Sequence, residues 1–300
     1  MGQANGIVAV TGASGRLGGR LAVRLAAEGA RQRLVVRDPA RAPRLGGGNL
    51  PRSQVVVAER YDDRAAMRRA FEGVRTVFLV SGREEPRRLE QHRVAVDAAV
   101  VAGVERIVYT SFVGAAEDAV FTFARDHWHT EQYIRASGLR WTFLRDNVYH
   151  HALTTWVGPD DVIRGPAGDG RVASVSHDDV ADVATAVLLD ERRRAHDGRT
   201  YELTGPQSLT LDEVAEALSR LAGRTIRYEP ESLEQAYASR AGHAVDPVVL
   251  EGWVTSYAAI AAGELADVSD DVARLVGRPA RGFEAWLDDY PDQWAHLVRR

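Results

Sequence analysis

Four times in the first half of the chain, an amphipathic stretch ends in a single glycine and gives way to an apolar run rich in β-branched and aromatic residues. Ala26-Ala27-Glu28-Gly29 precedes Leu34-Val35-Val36, and Phe71-Glu72-Gly73 precedes Val77-Phe78-Leu79-Val80. Val101-Ala102-Gly103 precedes Ile107-Val108-Tyr109, and Ala136-Ser137-Gly138 precedes Trp141-Thr142-Phe143-Leu144. Glycine suits the left-handed residue that closes a helix, and a continuous apolar run suits a strand covered on both faces. Each repeat reads helix, stop, parallel strand. With Ile7–Val10 and residues 54–58 added, about six parallel strands alternate with helices, which predicts an α/β doubly wound sheet over residues 1–146.

From residue 147 the alternation loosens, and Gly, Pro and Asp gather in residues 158–170. Thr210 and Glu213 have the spacing of a capping box ahead of Val214, Leu218 and Leu221, with Gly223 as the stop. Short strands are expected at 172–175, 201–204 and 225–228, and helices near 178–190, 232–241, 247–262 and 283–289. Residues 147–300 are read as a smaller α+β substrate lid that returns some elements to the sheet. The run Glu191-Arg192-Arg193-Arg194 has no interleaved aromatic residue and reads as a solvated helix end.

Composition removes whole chemistries. The chain has no cysteine, and its 38 cationic side chains are all arginine. Thiol nucleophiles, thiolate metal sites, Schiff-base amines and lysine-dependent phosphate loops are therefore excluded. A formal charge of −4 leaves no basic field for nucleic acid or an anionic membrane. No secretory signal is expected around Ile7–Val10, and no stretch reaches the roughly 18 apolar residues of a membrane span. A cytoplasmic protein is the expectation.

Directly after the first strand, Thr11-Gly12-Ala13-Ser14-Gly15-Arg16-Leu17-Gly18 opens a helix carrying Leu21, Val23 and Leu25 on its apolar positions. Glycines at this spacing let the turn tighten, let a pyrophosphate approach the backbone and let helix pack on strand, while the helix N-terminus supplies N–H groups. This strand, glycine loop and helix predict a Rossmann dinucleotide site. The second strand ends Val36-Arg37-Asp38, with arginine where an NAD-binding chain places its acid. Arg37 and Arg16 are expected to clamp a 2′-phosphate, favouring NADP(H); the alternative is a solvated Arg37 with Asp38 on the ribose.

These residues resemble the NmrA-like branch of the atypical short-chain dehydrogenases/reductases, and within it the group of type 2 NAD(P)H:quinone oxidoreductases and triphenylmethane reductases. The resemblance rests on the glycine loop, Gln91-His92-Arg93, Tyr109-Thr110-Ser111 and His127-Trp128-His129-Thr130-Glu131. It continues through Thr142-Phe143-Leu144-Arg145, Tyr149, Ala167-Gly168-Asp169-Gly170 and Tyr201-Glu202-Leu203. It departs at Arg60 before Tyr61, which leaves Asp62 as the adenine partner, and at Arg145-Asp146-Asn147, where the group reads Arg-Asn.

The resemblance implies a cofactor site of Thr11, Gly12, Ser14, Gly15, Arg16, Leu17, Gly18, Arg37, Asp62, Val80, Ser81, Gly82, Ser111, Phe112 and His127. It implies His127 near the nicotinamide ribose, and Asn147, Val148 and Tyr149 bordering nicotinamide and substrate, so that His127, Asn147 and Tyr149 are the candidate catalytic residues. Phe123 and His127 stand where classical members carry a Tyr and Lys dyad, so alcohol–ketone chemistry through that dyad is not expected. The implied activity is direct hydride transfer, without flavin, from NADPH to a small quinone-like or conjugated aromatic acceptor. The alternative is a non-catalytic NADP(H)-sensing regulator. An epimerase or dehydratase of the extended branch fits these positions least. No metal is expected, His150-His151 included, and a homodimer is compatible with the resemblance. His127 and Glu131, four residues apart on a helix, have the alternative of pairing with each other. Asp178 and Asp179 are read as helix caps behind Ser176. Trp253, Tyr257, Phe283 and Trp286 are read as lid packing, with the alternative that Trp253 or Tyr257 faces an aromatic substrate.

Overall fold

The computed structural model describes residues 6–190, 192 and 194–298. Glu191 and Arg193 of the arginine run lie outside the described residues. The first half runs β1 (Ile7–Val10), α1 (Arg16–Ala27), β2 (Gln32–Val36), a hairpin of β3 (Arg44–Leu45) and β4 (Gly48–Asn49), β5 (Ser53–Val57), α2 (Arg64–Phe71) and β6 (Val74–Leu79). It continues with α3 (Arg88–Val101), β7 (Arg106–Phe112), α4 (Thr122–Ala136) and β8 (Arg140–Asp146). The second half contains α5 (His150–Thr155), β9 (Val162–Gly165), β10 (Arg171–Val172), α6 (His177–Leu189), β11 (Arg199–Leu203), β12 (Leu209–Thr210), α7 (Leu211–Ala222) and β13 (Arg227–Pro230). Helices α8 (Leu233–Arg240), α9 (Pro247–Ala261), α10 (Asp271–Val276) and α11 (Phe283–Asp289) follow.

Seven strands form one sheet in the order β11-β8-β7-β6-β1-β2-β5, and every pairing in it is parallel. The strand order reverses between β1 and β6, which opens a crevice at their C-terminal ends, where such sheets bind ligands. The four stop glycines, Gly29, Gly73, Gly103 and Gly138, all take left-handed φ values, from 69° to 80°. On one face of the sheet, Leu21 and Leu25 of α1 share a core with Val180, Val183 and Val187 of α6. Met67 and Phe71 of α2 and Val96 of α3 pack the other face. A third core, around Phe121, Leu211, Leu218, Ile260 and Trp286, fills the lid and includes Tyr257 and Phe283.

The second half gives both β11 and α6 to the main sheet. Strand β11 adds parallel to β8 with Tyr201 opposite Leu144. Arg20 and Arg24 of α1 meet Asp178 of α6 at 2.9 and 2.8 Å, tying the two helices together over the sheet. Asp178 and Asp179 stand in the first turn of α6, but its cap is Ser176, whose hydroxyl accepts from the Asp179 amide and donates to the Asp179 carboxylate. The strand expected over 172–175 is corrected: it ends at Val172, because Ala173 donates to Leu265 and Val175 to Val148. The strand expected from residue 225 begins at Arg227 instead, since the Ile226 amide is taken by the Ser219 hydroxyl. Among the described residues, no helix is long and apolar enough to cross a membrane.

Candidate active site

A cavity of about 340 Å³ lies over the C-terminal ends of β1, β2, β5 and β6, and Gly12, Ser14, Gly15, Arg37, Arg41, Tyr61, Val80, Ser81 and Gly82 contribute to its wall. Its floor is the glycine loop. A Cβ on Gly18 would stand 2.4 Å from the Gly12 carbonyl oxygen, so only glycine lets α1 start this close to the strand. Thr11, Leu17 and Gly18 are buried behind the loop and shape it. The Thr11 hydroxyl accepts from the Val80 amide at 2.9 Å and lies 2.8 Å from the Tyr61 hydroxyl, which joins the ends of β1 and β6.

Helix α1 has Gly15 as its N-cap, with no side-chain cap and no acid in its first turn. Uncapped N–H groups carrying the positive end of a helix dipole suit a pyrophosphate. Arg37 and Arg41 stand together on the cavity wall, a donor set that suits a 2′-phosphate. Asp38 is engaged elsewhere. Its carboxylate accepts from the Ala40 amide at 2.9 Å and caps the single helical turn Pro39–Arg41. The residues present therefore fit a dinucleotide phosphorylated on the adenosine ribose.

Five further residues expected at the cofactor lie apart from this wall: Ser111, Phe112 and His127, whose neighbours are described below, and Arg16 and Asp62. Arg16, expected beside Arg37, is turned the other way and donates to Gln293 Oε1 at 2.7 Å. Asp62 is shared by Arg60, which forks onto it with two bonds of 2.9 Å, and by Arg87 at 3.2 Å. Its carboxyl is held below the usual range chiefly by the Arg60 hydrogen bond. Arg41, not singled out in the sequence, shares the cavity wall with Arg37, and the Asp38-Pro39 turn between them is the sequence signal for it.

Gly82, at the inner rim, is gripped from both sides of its peptide. Its N–H donates to His92 Nε2 at 2.7 Å, and its carbonyl accepts from Arg88 Nε at 3.1 Å. Arg88 is buried, 3% exposed, and also donates to the Phe123 carbonyl at 3.3 Å and to His127 Nε2 at 2.7 Å. A guanidinium can only donate, so Nε2 of His127 accepts and its proton sits on Nδ1, 3.0 Å from the Tyr109 hydroxyl. Burial first, then the charges of Arg88, His92 and Arg145, hold His127 well below the ordinary histidine range. Both of its ring nitrogens are thus occupied inside the protein. The pairing of His127 with Glu131 does not form, because Glu131 accepts from Ser111 at 2.6 Å and from Arg145 at 2.8 Å. Arg88 escaped the sequence reading, although Arg88, Gln91 and His92 share one face of α3 by spacing.

At the end of β8, the Tyr149 hydroxyl donates to Asp146, and its ring stacks on His177 with 3.7 Å between centroids. Burial pushes the Asp146 carboxyl up to about 7, against the Tyr149 hydrogen bond and the Arg88 charge, which favour the carboxylate. Asn147 is fully buried and donates to the Leu265 carbonyl at 3.0 Å. His150 is occupied at both nitrogens, by Ser174 at 2.9 Å and the Arg281 carbonyl at 3.0 Å. Phe112 packs its ring between Phe121 and His127, at 5.2 and 6.0 Å.

The sequence profile of the NmrA-like family matches residues 4–245. The chain belongs to the NmrA-like family. A Streptomyces griseus (4-alkanoyl-5-oxo-2,5-dihydrofuran-3-yl)methyl phosphate reductase is 36% identical, over 96% of this chain and 99% of its own length. Escherichia coli quinone oxidoreductase 2 is 31% identical over 91% of this chain and 94% of its own. Its crystal structure with NADPH superposes with a TM-score of 0.83, covering 94% of this chain and 99% of that one at 30% identity. The Citrobacter triphenylmethane reductase complexed with NADP(H) gives a TM-score of 0.78 at 29% identity, over 94% and 99% of the two chains.

Proposed function

We propose that this NmrA-like protein is an NADPH-dependent reductase that delivers hydride directly, without flavin, to a quinone-like or similarly conjugated acceptor. The observation that carries this reading is the single cavity in which an uncapped helix N-terminus, paired arginines and the ends of β1 and β6 meet. Support also comes from relatives whose names join a quinone and an oxo-dihydrofuran. Both are electron-poor rings conjugated to a carbonyl. Such acceptors need orientation more than acid assistance, and a positioned reactant can supply several kcal/mol of the barrier.

NADPH supplies the hydride when bound. Gly12, Ser14 and Gly15 would present backbone N–H groups to its pyrophosphate, and Arg37 with Arg41 would hold the 2′-phosphate. Arg88 and His92 keep the Gly82 peptide fixed at the rim. His127 acts as a positioning residue, because its two nitrogens anchor Arg88 and Tyr109. Alone, the Tyr149 hydroxyl is a poor acid, held well above its ordinary value by burial and then by the Asp146 charge. With Asp146 protonated, the carboxyl would donate to the Tyr149 oxygen while Tyr149 passes its own proton to the reduced acceptor. One hydride and one proton then balance the reduction of a quinone to its hydroquinone. Asn147 orders the backbone beneath Tyr149 through its bond to Leu265.

The test is consumption of NADPH by purified protein with a small quinone panel, corrected for uncatalysed oxidation, with NADH alongside. Saturable turnover that is faster with NADPH supports the reductase. Tight NADPH binding with no acceptor turned over replaces it with the non-catalytic sensor.

A further inference from the structure

Past Arg37 and Arg41 the cavity wall continues onto the loop that follows β5, through Ala58, Glu59, Arg60 and Tyr61. Strand β5 pairs with β2 on the side away from β1, so this loop stands beyond the two arginines as seen from the glycine loop. In a dinucleotide the base is joined to the same ribose as the 2′-phosphate. With the pyrophosphate at the glycine loop and the 2′-phosphate at Arg37 and Arg41, the wall left for the base is the loop after β5.

Most side chains around that wall are already engaged. Ala58 is buried and apolar. The Tyr61 hydroxyl is 2.8 Å from the Thr11 hydroxyl and donates to the Val80 carbonyl at 3.1 Å. On the facing side of the cavity, Glu85 accepts from Gln91. Asp62 is outside the wall, whereas Arg60 is part of it and is held in place. Its Nε and Nη2 each donate to Asp62 at 2.9 Å, and Arg87, the residue before α3, anchors Asp62 from the other side of the cleft at 3.2 Å. The fork uses one edge of the guanidinium. Its flat faces are left for a ring, because a guanidinium bonds by its edge and stacks by its face.

We infer that Arg60 is the adenine platform of this protein, a guanidinium fixed by Asp62 that lies against the base and holds it by its face. This rests on the placing of the dinucleotide proposed above. The role expected of Asp62 passes to the arginine it orients, and the chemistry of recognition changes with it. A guanidinium has no acceptor, so it takes no hydrogen bond from the exocyclic amine that distinguishes adenine from hypoxanthine. A ring face is common to both bases, and stacking is tolerant of which base is stacked.

The test is calorimetric titration of NADPH, NADH and the hypoxanthine analogue of NADPH into wild-type protein and variants. Wild type should bind the analogue within about threefold of NADPH. Arg60→Ala should weaken NADPH and NADH by the same factor, about three- to fivefold for a stacked cation at a partly exposed site, since the base is common to both. Arg60→Lys keeps the charge without the flat face and should match Arg60→Ala. Arg60→Trp keeps a face without the charge and should recover the affinity. A loss confined to NADPH, or one that lysine restores, assigns Arg60 to the 2′-phosphate and overturns the inference. A penalty of about tenfold or more for the hypoxanthine analogue that Glu59→Gln removes gives the base to that carboxylate and overturns it as well. So does no loss in Arg60→Ala, and Arg37→Ala run alongside then shows whether the placing also fails. Weaker NADPH binding in Arg37→Ala keeps the cofactor in this cavity, and unchanged binding there removes it.

Discussion

Replacing Asp146 with asparagine isolates a single buried carboxyl and makes a prediction with a definite sign. The side chain is 6% exposed, and burial raises its pKa from 3.8 to about 7. Below about pH 4 the group is protonated in folded and unfolded chains alike and has no effect on their balance. As pH rises further, the unfolded chain ionises freely while the folded chain must keep the proton, so the folded state loses stability until its own group titrates. A gap of about three pH units at 1.36 kcal/mol each is about 4 kcal/mol, lost mainly between about pH 4 and 7 and constant above. Asparagine does not titrate, and its amide oxygen can still accept from Tyr149. Urea unfolding of wild-type and Asp146→Asn protein across this range should show the variant gaining on the wild type by about 3–4 kcal/mol and then levelling off. Taking the difference cancels the other carboxyls. A constant offset, or a variant that loses ground as pH rises, would refute the burial argument and with it the use of Asp146 as a proton reservoir at neutral pH.

Arg37→Ala and Arg41→Ala should each weaken NADPH binding by about tenfold and leave NADH nearly unchanged, as read by fluorescence titration; equal losses for both cofactors would remove the 2′-phosphate contact. Gly18→Ala drives a Cβ to 2.4 Å from the Gly12 carbonyl, so the loop must shift at a cost of about 1–3 kcal/mol, visible as a lower Tm and weaker NADPH binding; an unchanged melt would mean the loop yields freely. His127 should remain neutral with its proton on Nδ1 through the range in which a free histidine gains its charge, and nitrogen NMR showing a charged ring there would contradict the Arg88 contact.

The doubly wound sheet was legible because several local signals coincide at each repeat. At Gly29, Gly73, Gly103 and Gly138 a helix stop, a left-handed glycine and an apolar run all agree, and tertiary contacts only had to accept them. The run at 172–175 carries the same apolar signal, but its partners, Leu265 and Val148, are distant or out of register, so pairing ends after Val172. The site shows the same division. Position after a strand placed Gly12, Gly15, Arg37, Val80 and Gly82 in one wall, since strand ends converge by topology. Position could not tell which way Arg16 turns, because the first helical residue can lean to either side of the loop. Nor could it show that Glu131, one helical turn from His127, is drawn away by Arg145 across the end of β8. Arg88 was hidden by its type. A guanidinium is expected at the surface, and its carbonyl and imidazole acceptors, with the Asp126 carboxylate at 3.9 Å, make its burial tolerable.

The turn that carries Arg37 and Arg41 has a consequence for how this protein can change. Residues 37–41 are all exposed, and the turn Pro39–Arg41 contributes no side chain to any core. The part of the cavity that would distinguish one nicotinamide cofactor from the other is therefore decoupled from folding. Exchanging those side chains should move cofactor choice with little effect on the sheet, whereas an equivalent change at Gly18 or Arg88 would disturb the scaffold. Cofactor preference should be the trait that a designer can rewrite here at least cost to the fold, while a change around Gly82 would carry Arg88, His92 and the helix that bears them with it.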